Sequence, residues 1–269
     1  MRIDQLLVQR GHAASRSQAQ RLIASGVSWR LPAAIPSTQE PAWRLARKSG
    51  DEVPDTAELQ LADDSESRYV SRGGLKLAGA LAATGVTVAG LRCLDVGQST
   101  GGFTDCLLQL GAAQVVGVDV GHGQLHPRLR ADSRVVALEG VNARALVESD
   151  LIAACAFSKS TNGQKGLKFD RVVGDLSFIS LTLVLPALVP LLADDGELLM
   201  LVKPQFELQP QDIGKGGLVR DPAMYAQVER RLRLACASLG LQVVAWLDSP
   251  ITGGDGNREY FIHARLAEA

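Results

Sequence analysis

Nothing in this 269-residue sequence reads as a membrane span. The longest apolar stretch, residues 181–193, holds only 13 residues and is interrupted by Pro186 and Pro190, far from the ~20 apolar residues of a bilayer-crossing helix. We read it as a core helix. No cleavable export signal is expected, because Arg2, Asp4 and Arg10 break the apolar run that such a segment requires. A cytoplasmic location is therefore expected. Cysteine is scarce: Cys93, Cys106, Cys155 and Cys236 stand far apart, and none forms a C-x-x-C pair with metal-ligand spacing. They read as reduced thiols behaving as small hydrophobes. His122 and His126 sit four apart, but no carboxylate or cysteine pattern completes a metal site, and no metal is expected.

Net charge is also nearly absent, at −1, but it is unevenly spread. Residues 1–48 hold eight Arg or Lys against Asp4 and Glu40, a balance of +6 that leaves −7 for the remainder. A basic head on a mildly acidic body points to a polyanionic partner for the head. The apolar and charged fractions, 46% and 21%, are those of an ordinary globular chain, long enough for one large domain or a medium one with a small companion.

In the head, Ile3, Leu6 and Leu7 share one helical face ahead of a stop at Gly11. Ser15-Arg16-Ser17-Gln18 fits a capping box, opening a second helix through Ala19, Leu22 and Ile23 to Gly26. Arg16 and Arg21, with Gln18 and Gln20, are expected on its exposed side. Trp29-Arg30 and Trp43-Arg44 either stack on bases and pair with phosphate or close a small core. A strand over 57–61 completes this unit, and the acidic, polar run 62–67 reads as a linker. The domains are placed at 1–62 and 63–269.

Beyond the linker, strands alternate with helices. A helix is expected from about residue 71 to 83 with Lys76 on its first turns, and others near 102–110, 143–154, 179–192 and 222–239. Apolar runs ending at Val96, Asp119, Leu138, Asp175 and Lys203 read as strands, the last over 197–203, with closing strands at 241–247 and 260–266. The polar stretch 158–168 reads as a surface insertion. Such alternation predicts an α/β fold with a parallel sheet covered on both faces.

The chain is organised around residues 91–105. A strand ending in Leu94-Asp95-Val96 feeds the loop Gly97-Gln98-Ser99-Thr100-Gly101-Gly102 and then a helix starting near Phe103. Glycines let backbone N–H groups approach a ligand closely, and the helix N-terminus adds unpaired donors. In open parallel sheets, ligands bind at the C-terminal strand ends, so this loop, Asp119, Asp175 and Lys203 should converge. Asp119 comes 22 residues after Gly97, where such folds bind ribose hydroxyls. The loop lacks the G-x-G-x-x-G spacing of nicotinamide-binding proteins. Asp95 just before it could hold a cofactor's ammonium group, which S-adenosylmethionine carries.

Arg2-Ile3-Asp4-Gln5-Leu6-Leu7 and the run from Ser15 to Ile23 resemble a small RNA-binding domain named after a small-subunit ribosomal protein. That resemblance implies RNA contacts at Arg2, Arg16 and Arg21. Tyr69 to Leu77, Leu94 to Asp105, Gly174 to Ser180, Leu201 to Glu207 and Gly214 to Asp221 are similar to the hemolysin-A-like (TlyA) family. This family joins such a head to an FtsJ-like methyltransferase domain, and the resemblance covers nearly the whole chain apart from residues 27–50 and 158–168. It implies a Rossmann-like S-adenosylmethionine-dependent methyltransferase sheet with a small α+β N-terminal domain, acting on ribose 2′-hydroxyls of ribosomal RNA. The implied partner is ribosomal RNA or a ribosomal subunit, with neither membrane nor DNA. Cofactor binding falls on Asp95, Gly97, Ser99, Gly101, Gly102, Phe103, Asp119 and Asp175.

The resemblance further implies a catalytic tetrad of Lys76, Asp175, Lys203 and Glu259. A ribose hydroxyl must lose its proton as it attacks the methyl group, and Lys203 is the candidate for base or for electrostatic steering, with Lys76 and Glu259 orienting the hydroxyl. Two rival readings stand beside this one: a membrane-active cytolysin, suggested by the family's historical name, and an RNA-binding assembly factor that keeps the fold without the catalysis.

Overall fold

A computed structural model describes residues 1–13, 15–32, 41–62, 68–155, 167–254 and 256–267, without the side chains of 153–155. The linker at 63–67 and the insertion through residue 166 lie outside the described residues. The chain packs as two compact units, Met1–Arg72 and Gly73–Ala269.

In the first unit, helices Ile3–Gln9 and Arg16–Gly26 pack on an antiparallel sheet of β1 (Val27–Arg30), β2 (Arg44–Leu45) and β3 (Glu58–Leu61), in the order β2-β1-β3. Ile3, Leu6, Leu7, Leu22 and Val27 form its core. The Ser15 side chain caps the second helix by accepting the Gln18 N–H at 3.3 Å. Gln18 itself turns inward, because four-residue spacing puts it on the face of buried Leu22, so the expected exposed side reduces to Arg16, Gln20 and the half-buried Arg21. Asp4 is buried and accepts Arg2 Nε at 3.0 Å, Arg2 Nη2 at 2.9 Å and Arg16 Nη2 at 3.2 Å. The Arg2 hydrogen bond is the largest influence holding Asp4 below the usual carboxylate range.

The second unit carries seven strands: β4 (Arg92–Val96), β5 (Gln114–Asp119), β6 (Val135–Glu139), β7 (Phe169–Gly174), β8 (Leu192–Val202), β9 (Leu241–Asp248) and β10 (Tyr260–Leu266). Their order is β6-β5-β4-β7-β8-β10-β9, parallel except for β10, which runs antiparallel to both neighbours. The order in which strands are added reverses between β4 and β7, the crevice where such sheets bind ligands. Leu94, Val96, Val116, Val118, Leu185, Leu198 and Met200 belong to one buried cluster with the helix Leu181–Leu188.

Two expected elements are redrawn. The helix read over 179–192 spans Leu181–Leu188, tightens into a 3₁₀ turn at Val189–Leu191, and gives way to β8 at Leu192 rather than at residue 197. A run with almost no polar residue has no period to separate buried helix from buried strand. The helix read over 143–154 is a 3₁₀ turn, Ala143–Ala145, followed by Glu148–Cys155. Cys93, Cys106 and Cys236 are buried free thiols, and burial pushes Cys93 up to about 12 and Cys236 to about 11.

Candidate active site

Strand ends meet at one edge of the larger sheet. Asp175 follows β7, its N–H donating to Val96 O at 3.0 Å, so the ends of β7 and β4 are joined directly. A Cβ on Gly97 would lie 2.7 Å from Asp175 O, and φ there is +83°, so both space and backbone demand glycine. Lys203 follows β8. The antiparallel register Tyr260↔Val202 brings Glu259, just before β10, to the same edge. Lys76 arrives from the first turn of the helix Gly73–Thr84.

These four side chains form a chain of ion pairs. Lys203 Nζ lies 2.6 Å from Asp175 Oδ1, Lys76 Nζ lies 4.0 Å from Asp175 Oδ2, and Lys76 Nζ lies 2.5 Å from Glu259 Oε2. Asp175 Oδ1 and Glu259 Oε2 have no angularly aligned hydrogen-bond donor, so both contacts are ionic by distance alone. Glu259 is buried, and desolvation raises its pKa above the ordinary value against the opposing charge of Lys76. Two cations and two carboxylates balance the cluster's formal charge.

Beside the cluster opens a cavity of about 440 Å³, lined by Gly97, Ser99, Asp119, Gln124, Asp175 and Ser177 among others. That volume is in the range of small-molecule sites. Asp119 Oδ2 accepts the Ser99 N–H and Oδ1 the Gly121 N–H, each at 2.7 Å. The larger hollow of about 700 Å³ near Arg233 and Arg265 is lined by none of Lys76, Asp175, Lys203 and Glu259.

Four of the residues expected at the cofactor, Gly97, Ser99, Asp119 and Asp175, line the cavity, whereas Asp95, Gly101, Gly102 and Phe103 do not. Phe103 is buried and stacks on Phe261 with ring centroids 6.1 Å apart. Asp95 is fully buried beneath the loop. Its Oδ2 accepts the Thr104 hydroxyl at 2.6 Å, Thr104 in turn accepts Gln98 Nε2 at 2.9 Å, and Oδ1 has no hydrogen-bond partner. Burial, only partly opposed by the Thr104 hydrogen bond, pushes the Asp95 carboxyl up to about 7.

Three further residues at this edge lie inside the family-like segments 174–180 and 201–207 but are given no role by the sequence reading. Ser177 accepts Lys203 Nζ at 2.8 Å. Phe178 lines the cavity 90% exposed, with φ +64° and its ring 5.0 Å from Phe206. Ser99 and Phe178 are the two non-glycine residues with positive φ among the described residues, and both face this cavity. Such backbone is costly for a bulky side chain and tends to persist at functional sites. Glu207, four residues past Lys203 and buried, accepts the Leu181 N–H at 2.7 Å and the Ser180 hydroxyl at 2.5 Å, tying the segment after Asp175 to the segment after Lys203.

Sheet order, glycine loop and acidic strand ends together define the Rossmann-like fold of S-adenosylmethionine-dependent methyltransferases. A protein of that description from Listeria monocytogenes shares the fold at 13% identity, with a TM-score of 0.51 over 71% of this chain and 100% of that one. The chain belongs to the FtsJ-like methyltransferase family, whose profile matches residues 69–266, and within it to the hemolysin-A-like (TlyA) group. It is 45% identical over 266 residues, 98% of its length and 89% of the relative's, to the Mycobacterium tuberculosis protein named 16S/23S rRNA (cytidine-2′-O)-methyltransferase TlyA. A solved Streptococcus thermophilus protein described as a hemolysin is similar at 37% identity, with a TM-score of 0.71 covering 100% of this chain and 89% of that one.

Proposed function

We propose that this chain transfers a methyl group from S-adenosylmethionine to a ribose 2′-hydroxyl of ribosomal RNA in the cytoplasm. The observation carrying the reading is Lys203 Nζ, held between Asp175 and Ser177 beside the cavity that Gly97, Ser99 and Asp119 line. The M. tuberculosis relative's name supports the same substrate class.

S-adenosylmethionine, when bound, supplies a methyl group on positively charged sulfur. The residues present fit it. Asp119 keeps a free lone pair on each carboxylate oxygen beyond the two backbone donors, suited to a ribose diol. Asp95 Oδ1, buried without a hydrogen-bond partner beneath the loop, is the acceptor left over for the cofactor's ammonium group. The substrate hydroxyl has a pKa far above neutrality and loses its proton as oxygen attacks. As an ammonium Lys203 stabilises the charge left on oxygen, and once it has released its own proton to solvent its amine can receive the hydroxyl's proton; Asp175 fixes the lysine's position, and Lys76 links Asp175 to Glu259. Holding nucleophile and methyl donor in line can supply up to about 7–11 kcal/mol of barrier reduction.

Arg2, Arg16 and Arg21 are proposed as phosphate contacts of the head. Asp4 fixes the first two guanidinium groups while their side chains stay 41% and 55% exposed, so each can offer donors outward. The test is methyl transfer from labelled S-adenosylmethionine to ribosomal RNA, with the modified nucleotide mapped by mass. Transfer by the parent protein that disappears in Lys203→Ala supports the reading. Absence of transfer to any ribosomal RNA overturns it in favour of an assembly factor. Among the described residues no helix is long and apolar enough to cross a membrane.

A further inference from the structure

We propose that the solvent-facing side of the three-stranded sheet in the first unit is a stacking platform for an unpaired RNA base, a proposal that rests on the RNA-substrate reading above. Side chains alternate between the two faces of a strand. Val27 and Trp29 of β1 turn to the small core, so Ser28 and Arg30 face solvent. The register Ser28↔Leu45 and Trp29↔Arg44 then assigns Leu45, and with it Trp43, to the solvent face. Trp43 is 40% exposed and Leu45 64% exposed, two large apolar groups turned away from the core they would otherwise help to build.

The tryptophan is held ready. The Arg30 guanidinium lies 4.6 Å from the Trp43 ring centroid, and its Nε contacts Glu58 Oε2 at 2.6 Å across the β1–β3 pair. The salt bridge fixes the arginine and the arginine fixes the indole, which lowers the entropy cost of stacking a ligand on the ring's exposed part. Arg44, paired with Trp29 on the opposite face, lies 5.4 Å from the Trp29 ring, and Arg47 and Lys48 follow β2 in the chain, all three exposed. The exposed apolar pair Trp43 and Leu45 thus has the cations Arg44, Arg47 and Lys48 within three residues along the chain, inside residues 1–48, whose balance is +6. Phosphates suit the cations and a splayed base suits the indole, which favours single-stranded RNA over a duplex whose bases are hidden.

The test uses the full chain and fluorescence anisotropy with a short labelled oligouridylate and an RNA duplex of equal length. Trp43→Ala should weaken single-strand binding about tenfold while Trp43→Phe keeps most of it, as expected for loss and retention of one stacked ring. Duplex binding should be unchanged in both. Arg47→Ala with Lys48→Ala should flatten the dependence of log affinity on log salt by about 1.4, roughly 0.7 for each lost phosphate contact on a single strand. Equal affinity of Trp43→Ala and the parent for oligouridylate, or no parent preference for single strand over duplex, overturns the platform. Methyl transfer by the parent protein, measured alongside, reports separately: its absence with stacking intact overturns only the enzymatic reading.

Discussion

Lys76 Nζ sits 2.5 Å from Glu259 Oε2, joining the helix that opens the larger unit to the residue preceding its last strand. Their side chains are 9% and 3% exposed, so removing Glu259 leaves the buried Lys76 with only its longer 4.0 Å contact to Asp175, at a cost of up to about 3–5 kcal/mol. Glu259→Ala should therefore lower Tm and abolish methyl transfer together. Replacing both by methionine should recover much of the Tm without recovering transfer. A double variant with near-parental activity would remove the pair from the proposed tetrad.

Lys203 is expected to matter to the chemical step rather than to folding, since its ammonium reaches Asp175 and Ser177 at the cavity's edge. In single-turnover assays at saturating cofactor and RNA, Lys203→Ala should slow transfer at least 100-fold, the scale of losing one positioned proton-transfer or charge-stabilising group. Lys203→Arg should fail as well, because a guanidinium cannot give up its proton and its planar fork does not match a point charge held between two oxygens. Little change in rate would assign catalysis elsewhere.

Phe178 invites a different experiment. Its φ of +64° strains the backbone and its ring is 90% exposed, so Phe178→Gly should leave Tm unchanged or slightly higher. The KM for RNA should rise about tenfold, the loss expected for one base no longer stacked on an aromatic ring. The Kd of S-adenosylmethionine, measured by calorimetry, should not move. A shift in cofactor affinity with unchanged RNA KM would assign the ring to the other ligand.

Asp95 predicts a pH dependence of stability. Burial pushes its carboxyl up to about 7 in the folded chain, whereas an unfolded aspartate releases its proton near pH 4. Between those values the folded state binds more protons, so this residue's contribution to stability falls as pH rises from about 4 to 7 and then levels off. Asp95→Asn should lose that fall, its Tm gaining on the parent between about pH 5 and pH 8. Parallel Tm curves would show that Asp95 titrates normally.

Much of the larger unit is legible in order along the chain. Leu94-Asp95-Val96 and Val115 to Asp119 announce buried parallel strands because both faces of such strands are covered and their apolar residues run together. The same continuity hides the boundary at Leu192, where helix, 3₁₀ turn and strand share one apolar stretch. Gln18 shows the limit on a smaller scale: a polar residue at a capping position can still fall on the buried face.

The particular contacts at the site are different in kind. No local pattern marks Ser177 as the acceptor for Lys203, Phe178 as left-handed, or Glu207 as the brace of Leu181, because each depends on how the segments following β7 and β8 meet. The sequence by itself determined which residue types stand at the strand ends, since hydrophobic period and glycine placement are properties of neighbouring positions. Only the tertiary structure decided which of them face the cavity, leaving Asp119 at its wall and Asp95 buried beneath the loop, because that choice depends on how strands β4, β5 and β7 pack side by side.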